Sequence, residues 1–278
     1  NEIGFDAFTL GNHEFDEGLA ELQRMLDGGN HVDGPFLEFP YTGAHYPCLA
    51  ANVIDVTTNE TFLHPYIVKK VGKARIAFIG AVVKEAPSMV SPSGVESLRF
   101  IDEADAINRC VRDIKRKGIK AIVAVIHQGG DAVNGIVGRL DGEIDVVISG
   151  HTHQLTNTTV NNAAGKPVLV TQAYSAGVAY ADIDLEIDPR SREIVKKTAT
   201  VSMTWGDTGA GLQPNREAAA LVAAADAAVQ DKVNAVIGTA ASDIVRLQSP
   251  AGESPLGNLI ADALRRCGGT DFAFMNPG

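Results

Sequence analysis

The residues best suited to chemistry in this chain fall in three polar clusters. These are Gly11–Asp16 (GNHEFD), His127–Asp131 (HQGGD) and Gly150–Gln154 (GHTHQ), and each follows a short apolar run. Imidazole suits zinc and other divalent transition metals, whereas the amide oxygen of asparagine suits harder ions such as Mn²⁺ or Mg²⁺. The residue types in these clusters therefore indicate a metal site.

A single histidine after a strand is more often a turn residue with ordinary hydrogen bonds than a metal ligand. Four of the 7 histidines nevertheless fall in the three clusters, which favours a shared function. The remaining histidines lie in loop or pre-proline settings and receive no predicted function: His31, His45 and His64. We interpret Gln128 and Asp131 as turn and surface groups.

A serine nucleophile is the main rival to a metal site. Residues 173–177 (AYSAG) nearly match the nucleophile elbow G-x-S-x-G, but alanine replaces the first glycine. The elbow also needs a helix after the serine, whereas the alternating residues 179–187 predict a strand. We therefore reject a serine hydrolase. No Walker-type loop and no dinucleotide fingerprint occurs in the sequence.

The elements that must position the clusters alternate between strands and helices. Strands are predicted directly before the clusters, at 5–10, 121–126 and 145–149. Further strands are predicted at 48–53, 66–71, 74–83, 168–170 and 179–187, and helices at 19–27 and 102–117. This order is typical of an α/β domain, in which the carboxyl ends of the strands form the ligand crevice. The three clusters can therefore converge on one place.

The last third of the chain predicts a linker and a shorter second unit. Residues 205–214 are rich in glycine, and an alanine-rich helix follows up to Val236. A second α/β segment is expected from Ile237, with a helix over 255–266 and a strand beginning at Phe272. The sequence starts with Asn1 rather than Met and stops in a turn, so we expect both ends to be cut.

Composition excludes several classes of protein. The formal net charge is −10, from 34 acidic and 24 basic residues, which disfavours a nucleic acid polymer as partner. Apolar residues make up 45% of the chain, enough for a large core, and no run of about 18 of them predicts a membrane span. The cysteines Cys48, Cys110 and Cys267 lie too far apart for a zinc ribbon or a disulfide framework.

Taken together, the motifs resemble those of calcineurin-like metallophosphoesterases. Residues 11–14 (GNHE) and 150–153 (GHTH) are similar to two signatures of that family. Three further segments resemble the 5′-nucleotidase branch of the family: residues 51–53 (ANV), residues 254–264 (SPLGNLIADAL) and Asn276-Pro277-Gly278. The last looks like the opening of an N-x-G-G-x-R motif. The resemblance implies an α/β fold, a partial four-layer αββα sandwich. It also implies an N-terminally incomplete catalytic domain at 1–205, a linker and helix at 206–236, and the start of a truncated C-terminal domain at 237–278.

The resemblance also assigns roles to individual residues. Asn12, His127 and His151 would bind one metal of a pair, and His153 the other. His13 would contact the phosphate and stabilise the transition state or the leaving oxygen, with Asp16 orienting its ring, and Asn12 would also contact substrate. Two divalent ions (Mn, Zn, Co, Mg or Fe) would provide a hydroxide that attacks phosphorus in line. Bound cations would also explain how an acidic protein attracts an anionic substrate.

The implied activity is hydrolysis of a small-molecule nucleotide, as in 5′-nucleotidases, UDP-sugar hydrolases and 2′,3′-cyclic phosphodiesterases, by an enzyme that is periplasmic, secreted or held at the cell surface. The family's Asp-x-His pair and bridging Gly-Asp would precede GNHE and are not among the 278 residues. We therefore expect these residues alone to bind metal weakly and turn over little nucleotide. The alternatives are a sulfur-oxidation thiohydrolase of the same family and a non-catalytic nucleotide- or metal-binding surface module.

Overall fold

The computed structural model describes residues 1–34, 41–204 and 213–275, which divide into two compact units, Asn1–Ala224 and Ala225–Gly278. The strands within the described residues are β1 (Phe8–Thr9), β2 (Cys48–Leu49), β3 (Val53–Asp55), β4 (Tyr66–Val71), β5 (Ala74–Val82), β6 (Leu98–Phe100), β7 (Ala121–His127), β8 (Ile144–Ser149), β9 (Leu155–Asn161), β10 (Pro167–Ala173), β11 (Ala179–Ile187) and β12 (Ile194–Met203). The α-helices there are α1 (Leu19–Asp27), α2 (Glu103–Arg116), α3 (Gly130–Val137), α4 (Arg216–Val233) and α5 (Pro255–Gly268).

A six-stranded sheet in the order β4-β5-β7-β8-β10-β9 forms the centre of the first unit. Its four inner strands are parallel, and the two edge strands pair antiparallel to them. The inner strands are rich in branched aliphatic residues because both faces of a parallel sheet are covered. Since β7 and β8 are neighbours, the polar clusters that follow them meet at one edge of the sheet.

Alternate side chains of the sheet pack into two different layers. Ile122, Ala124 and Ile126 of β7 face α2 and α3, whose buried stripes complete the largest core cluster. Val123 faces the other way, toward apolar residues of the β11–β12 hairpin such as Leu185. The α/β fold class is thus confirmed, with a helical layer, the central sheet and a second sheet stacked as in an αββα sandwich.

Predictions for the first two strands were only partly right. The strand predicted over 5–10 is confined to Phe8–Thr9, which pairs in parallel with β2. Phe5 lies outside it, 49% exposed, with its ring against Tyr46 at 5.5 Å. The single strand predicted over 48–53 is instead interrupted at Asn52, which separates the short strands β2 and β3. The interruption arises because the buried Asn52 side chain hydrogen-bonds to the backbone of Val82 and Ile101.

Other elements show where hydrophobic patterning succeeds and fails. The strands predicted at 66–71 and 74–83 are confirmed, and they pair as the antiparallel hairpin β4–β5 around Gly72-Lys73. Strands β9 and β12 were not predicted, since edge and hairpin strands expose many residues and lack a continuous apolar run. β9 is held by pairing with β10 along its whole length.

In the second unit, α5 begins where Pro255 predicts, with the Ser254 hydroxyl accepting a hydrogen bond from the Gly257 N–H at 3.0 Å. The strand predicted from Phe272 does not form. The structure describes all of residues 225–275 and shows no strand among them. Phe272 and Phe274 are 80% and 91% exposed there. The predicted motif at 276–278 and most of the linker, residues 205–212, lie outside the described residues. No helix in the described ranges has both the length and the apolar character to cross a membrane.

Candidate metal centre

Three predicted ligands meet at the carboxyl ends of the strands. His127 is the last residue of β7, His151 follows β8, and Asn12 follows β1 after a short turn. The Asn12 Oδ1 atom lies 3.1 Å from His127 Nε2, and Asn12 is only 3% exposed. The His127 and His151 rings stand edge to face with their centroids 5.2 Å apart. One amide oxygen and two imidazoles, distant in sequence, thus share one small region.

His127 and His151 are each the central residue of a γ-turn. The Gln128 N–H donates to the Ile126 carbonyl at 2.9 Å, across His127, and the Thr152 N–H donates to the Gly150 carbonyl at 2.8 Å, across His151. A further bond, from the Gly150 N–H to the Gln128 carbonyl at 3.2 Å, ties the two loops together. The backbone of one loop therefore fixes the position of the other.

His151 and His153 both adopt the left-handed backbone conformation, with φ of 70° and 54°. Residues other than glycine held in this region cost about 1–3 kcal/mol each and cluster at functional sites. The surrounding structure must therefore enforce the conformation of the whole 150–154 loop.

Gly11 allows the backbone of the first cluster to approach the His127 ring. A Cβ atom at this position would lie 2.7 Å from His127 Cε1 and 2.8 Å from Nε2. Such contacts are too short for any side chain. The absence of a side chain at residue 11 is therefore a requirement of the site.

His13 is presented differently from the other histidines of the cluster. It begins a short 3₁₀ turn, His13–Phe15, which is anchored by the fully buried Phe15 ring against Phe100. Its side chain is 76% exposed, and Nδ1 lies 2.8 Å from Asp16 Oδ2. The carboxylate fixes the orientation of the ring and leaves Nε2 accessible.

The surroundings of the partly buried His127 and His151 favour the neutral form of each imidazole. Burial lowers the pKa of His127 to about 4, and the nearby His151, His13 and His153 add to this. Burial likewise lowers the pKa of His151, with His13 and His153 contributing. Neutral imidazoles keep a lone pair available for coordination.

The donor set of Asn12, His127 and His151 fits a divalent cation, because an amide oxygen and neutral imidazoles are common ligands of such ions. The described residues contain no group of three His, Cys, Asp or Glu side chains spaced for a metal ion. His153 is exposed on the same loop, and its contact with a second metal stays a prediction.

One residue of this region, Gln172, is not predicted from the sequence. Gln172 on β10 is 1% exposed and hydrogen-bonds to the 150–154 loop. The one signal in the sequence is a polar amide within an otherwise apolar run, and that signal does not reveal the partner. The serine considered as a rival, Ser175, is followed by strand β11 and not by a helix.

Two family models match the chain. The model described as calcineurin-like phosphoesterase matches residues 3–155, and the model described as 5′-nucleotidase, C-terminal domain matches residues 236–278. Together they include all three polar clusters and the helix α5.

Several curated proteins are similar in sequence. Endonuclease YhcR of Bacillus subtilis is 40% identical over 285 residues, covering 100% of this chain and 22% of that protein. Cell wall protein Lmo0130 of Listeria monocytogenes is 33% identical over 314 residues, covering 100% and 39%. A snake venom 5′-nucleotidase from Gloydius brevicauda is 30% identical over 213 residues, covering 70% and 33%. The chain thus spans well under half the length of these relatives.

Solved structures share the fold. The 5′-nucleotidase precursor from Thermus thermophilus aligns with a TM-score of 0.75 and 25% identity over 96% of this chain and 52% of that one. A putative 5′-nucleotidase from Staphylococcus aureus aligns with a TM-score of 0.73 and 20% identity over 96% and 50%. The second likeness concerns the fold alone.

Proposed function

The chain belongs to the calcineurin-like phosphoesterase family, and from this we propose that it acts as a metal-dependent hydrolase releasing phosphate from nucleotides, of the 5′-nucleotidase type. The observation that carries the proposal is the meeting of Asn12, His127 and His151 at the ends of three strands. Further support comes from the match of residues 236–278 to the 5′-nucleotidase C-terminal domain and from the similarity to a venom 5′-nucleotidase.

Members of this family use divalent metal ions, and we propose that Asn12, His127 and His151 hold one and that His153 holds a second. When bound, such cations offset the negative charge that develops on the phosphoryl group. The ion itself would be Mn, Zn, Co, Mg or Fe. The low pKa of His127 supports its role, since the ring stays unprotonated across the neutral range.

We propose that His13 contacts the substrate and that Asp16 orients the His13 ring. With Nδ1 paired to the Asp16 carboxylate at 2.8 Å, Nε2 is free to contact a phosphate oxygen or the leaving oxygen. Asp16 fixes the orientation of the ring. Asn12 lies next to His13 in sequence and would contact the same phosphate.

For the whole protein we propose a catalytic domain at 1–205, a linker and helix at 206–236, and the beginning of a C-terminal nucleotide-recognition domain at 237–278. The positions of the two matched family models support this division. We also propose an exported enzyme at the cell surface, in the periplasm or in the medium. The names of the relatives, a cell wall protein and a venom enzyme, support that location.

The function is tested by phosphate release from 5′-AMP, with UDP-glucose and 2′,3′-cyclic AMP as comparison substrates. The protein is purified at its full natural length, because residues 1–278 alone are expected to turn over little nucleotide. It is then stripped with EDTA and supplied separately with each of the five metals. We expect no hydrolysis after stripping and recovery with at least one metal. Metal binding without release of phosphate from any of these substrates would contradict the proposal.

A second candidate is cleavage of phosphodiester bonds in nucleic acid. It is favoured by the 40% identity to a protein named endonuclease, across 100% of this chain. The net charge of −10 argues against it, because polymer binding needs clustered cations. A fluorescent single-stranded DNA in the same assay separates the two candidates.

A further inference from the structure

A buried glutamine of the central sheet fastens the loop that carries two of the candidate ligands. The Gln172 Oε1 atom accepts hydrogen bonds from the Thr152 hydroxyl at 3.1 Å and from the Gln154 N–H at 3.0 Å. Its Nε2 donates hydrogen bonds to the Thr152 hydroxyl oxygen at 3.1 Å and to the Ser149 hydroxyl oxygen at 3.5 Å. Thr152 and Gln154 are the two neighbours of His153. The Gln172 side chain therefore holds the residue on each side of that histidine, Thr152 by its hydroxyl and Gln154 by its backbone N–H.

The loop needs such a fastening because its backbone is locally unfavourable. His151 and His153 both have positive φ, and conformations of this kind persist only when the surroundings enforce them. Two further hydrogen bonds lie next to this attachment, one at Ser149 at the end of β8 and one at Tyr174 just after β10. Ser149 donates to the Thr171 carbonyl at 2.9 Å, and the Gln154 carbonyl accepts from the Tyr174 N–H at 3.1 Å.

An amide at position 172 is explained by these bonds and not by the packing of the strand. Val168 and Val170, which precede Gln172 on the same face of β10, are fully buried and apolar, as expected for an inner strand. Burying an amide costs free energy unless its hydrogen bonds are made, whereas an apolar side chain would carry no such cost. The bonds to Thr152 and Gln154 offset that cost.

We propose that Gln172 is a positioning residue of the candidate metal centre. Through Thr152 and Gln154 it keeps His151 and His153 in the conformations that present their imidazoles to a divalent cation. This inference rests on the metal centre of the proposed function and is independent of which ester is hydrolysed.

The test compares Mn²⁺ affinities, measured by isothermal titration calorimetry on the intact purified protein. Gln172→Met keeps the length of the side chain and removes both hydrogen-bonding groups. We expect its Mn²⁺ affinity to fall by about 10- to 100-fold, the usual effect of losing a partner that orients metal ligands. An affinity within about twofold of wild type would overturn the proposal.

Asn162→Ala is the matched control. Asn162 is also a buried amide, 5% exposed, and lies at the other end of the β9–β10 hairpin. Its Oδ1 accepts two backbone hydrogen bonds, from Ala164 and Lys166, at 3.0 Å each. We expect this variant to lose conformational stability, seen in urea unfolding, and to keep its Mn²⁺ affinity. An equal loss of affinity in Asn162→Ala would mean that general loosening of the hairpin is the cause, and the proposal would fail.

Two milder variants decide the question if Gln172→Met does not fold. Thr152→Val removes the hydroxyl partner without changing the shape of the side chain, and we expect weaker Mn²⁺ binding. Gln172→Glu keeps the Oε1 acceptor, and we expect most of the affinity to remain. Unchanged affinity in Thr152→Val overturns the proposal, as does a wild-type protein that binds no Mn²⁺. A wild type that binds Mn²⁺ but releases no phosphate contradicts the proposed function alone.

Discussion

His13 differs from His127 in being exposed and paired with a carboxylate, whereas His127 is partly buried beside the Asn12 amide oxygen. The His13 side chain is 76% exposed, and its partner Asp16 lies 2.8 Å away. Such a residue is suited to contacting substrate, whereas the partly buried His127 is suited to holding a metal. The two roles make different predictions for substitutions.

We expect His13→Ala to retain its metal content and to lose about 10²- to 10⁴-fold in kcat, the range typical of a positioned proton donor. Metal content is measured by mass spectrometry of the purified variant, and turnover by phosphate release from 5′-AMP. Asp16→Asn should keep the ring in place and show a smaller loss. Metal missing from His13→Ala would place His13 among the ligands instead.

Gly11→Ala tests whether the close approach to His127 is essential. The added methyl would meet the His127 ring at 2.7 Å, so the ring must move and Mn²⁺ binding should weaken. Gly135→Ala is the control, because a Cβ there meets nothing within 4 Å and alanine favours helix α3. Equal Mn²⁺ affinities for the two variants, measured by calorimetry, would argue against a site at Gly11.

At the residue scale, the sequence predicted the meeting of Asn12, His127 and His151 because each belongs to a polar cluster that follows a predicted strand. It could not predict Gln172. A polar residue in a buried strand indicates a hydrogen bond but not its partner, and this partner lies 20 residues away in Thr152. The left-handed conformations of His151 and His153 could not be predicted from the sequence either, since histidine does not require a positive φ.

At the scale of elements, helix α2 is the best example of a structure specified by local signals. Asp102 caps its first turn by accepting a hydrogen bond from the Asp105 N–H at 3.1 Å, and it pairs with Arg139 at 2.8 Å. Apolar residues at helical spacing then face the central sheet. Both signals are readable from sequence, and the predicted helix was confirmed.

We expect Asp102→Ala to lower the free energy of unfolding by about 1 kcal/mol at neutral pH through loss of the cap. Asp102→Asn keeps the cap but loses the ion pair with Arg139, so its loss should be smaller. Both are measured by urea unfolding. Equal losses would show that the charge pair, and not the cap, carries the effect.

The contribution of Asp102 also depends on pH. Burial alone would raise its pKa, but hydrogen bonds from Arg139 and from the Asp105 N–H outweigh burial and hold the pKa below the usual value. A carboxyl with a lowered pKa stabilises the fold above its unfolded pKa of about 3.9. The stability gap between wild type and Asp102→Asn should therefore be full at neutral pH and shrink as the pH falls through the folded pKa.

Strands are less readable than helices because each depends on a distant partner. Among the described residues, the strand expected over 5–10 pairs only with Cys48–Leu49, which limits it to Phe8–Thr9. The polar strand β9 exists because β10 pairs with its full length. Similarly, residues 272–275 form no strand, since the described residues 225–275 provide no partner strand.

At the scale of the whole molecule, the parallel pairing of β7 and β8 brings two of the three motifs to the same end of the sheet, and β1, paired with β2, brings the third. Strand alternation in the sequence predicted the α/β class but not the sheet order, which depends on long-range pairing. The net charge of −10 agrees with a centre in which bound cations, rather than lysine or arginine side chains, would attract an anionic substrate.

The central claim is that Asn12, His127 and His151 form a metal centre on which phosphate release depends. It is tested most directly by the Mn²⁺ concentration needed for half-maximal hydrolysis of 5′-AMP in wild type and in His151→Ala, after EDTA treatment of both. We predict that the midpoint for His151→Ala is at least about tenfold higher, as expected when a ligand is lost. Equal midpoints in the two proteins, or hydrolysis that persists in EDTA, would contradict the account.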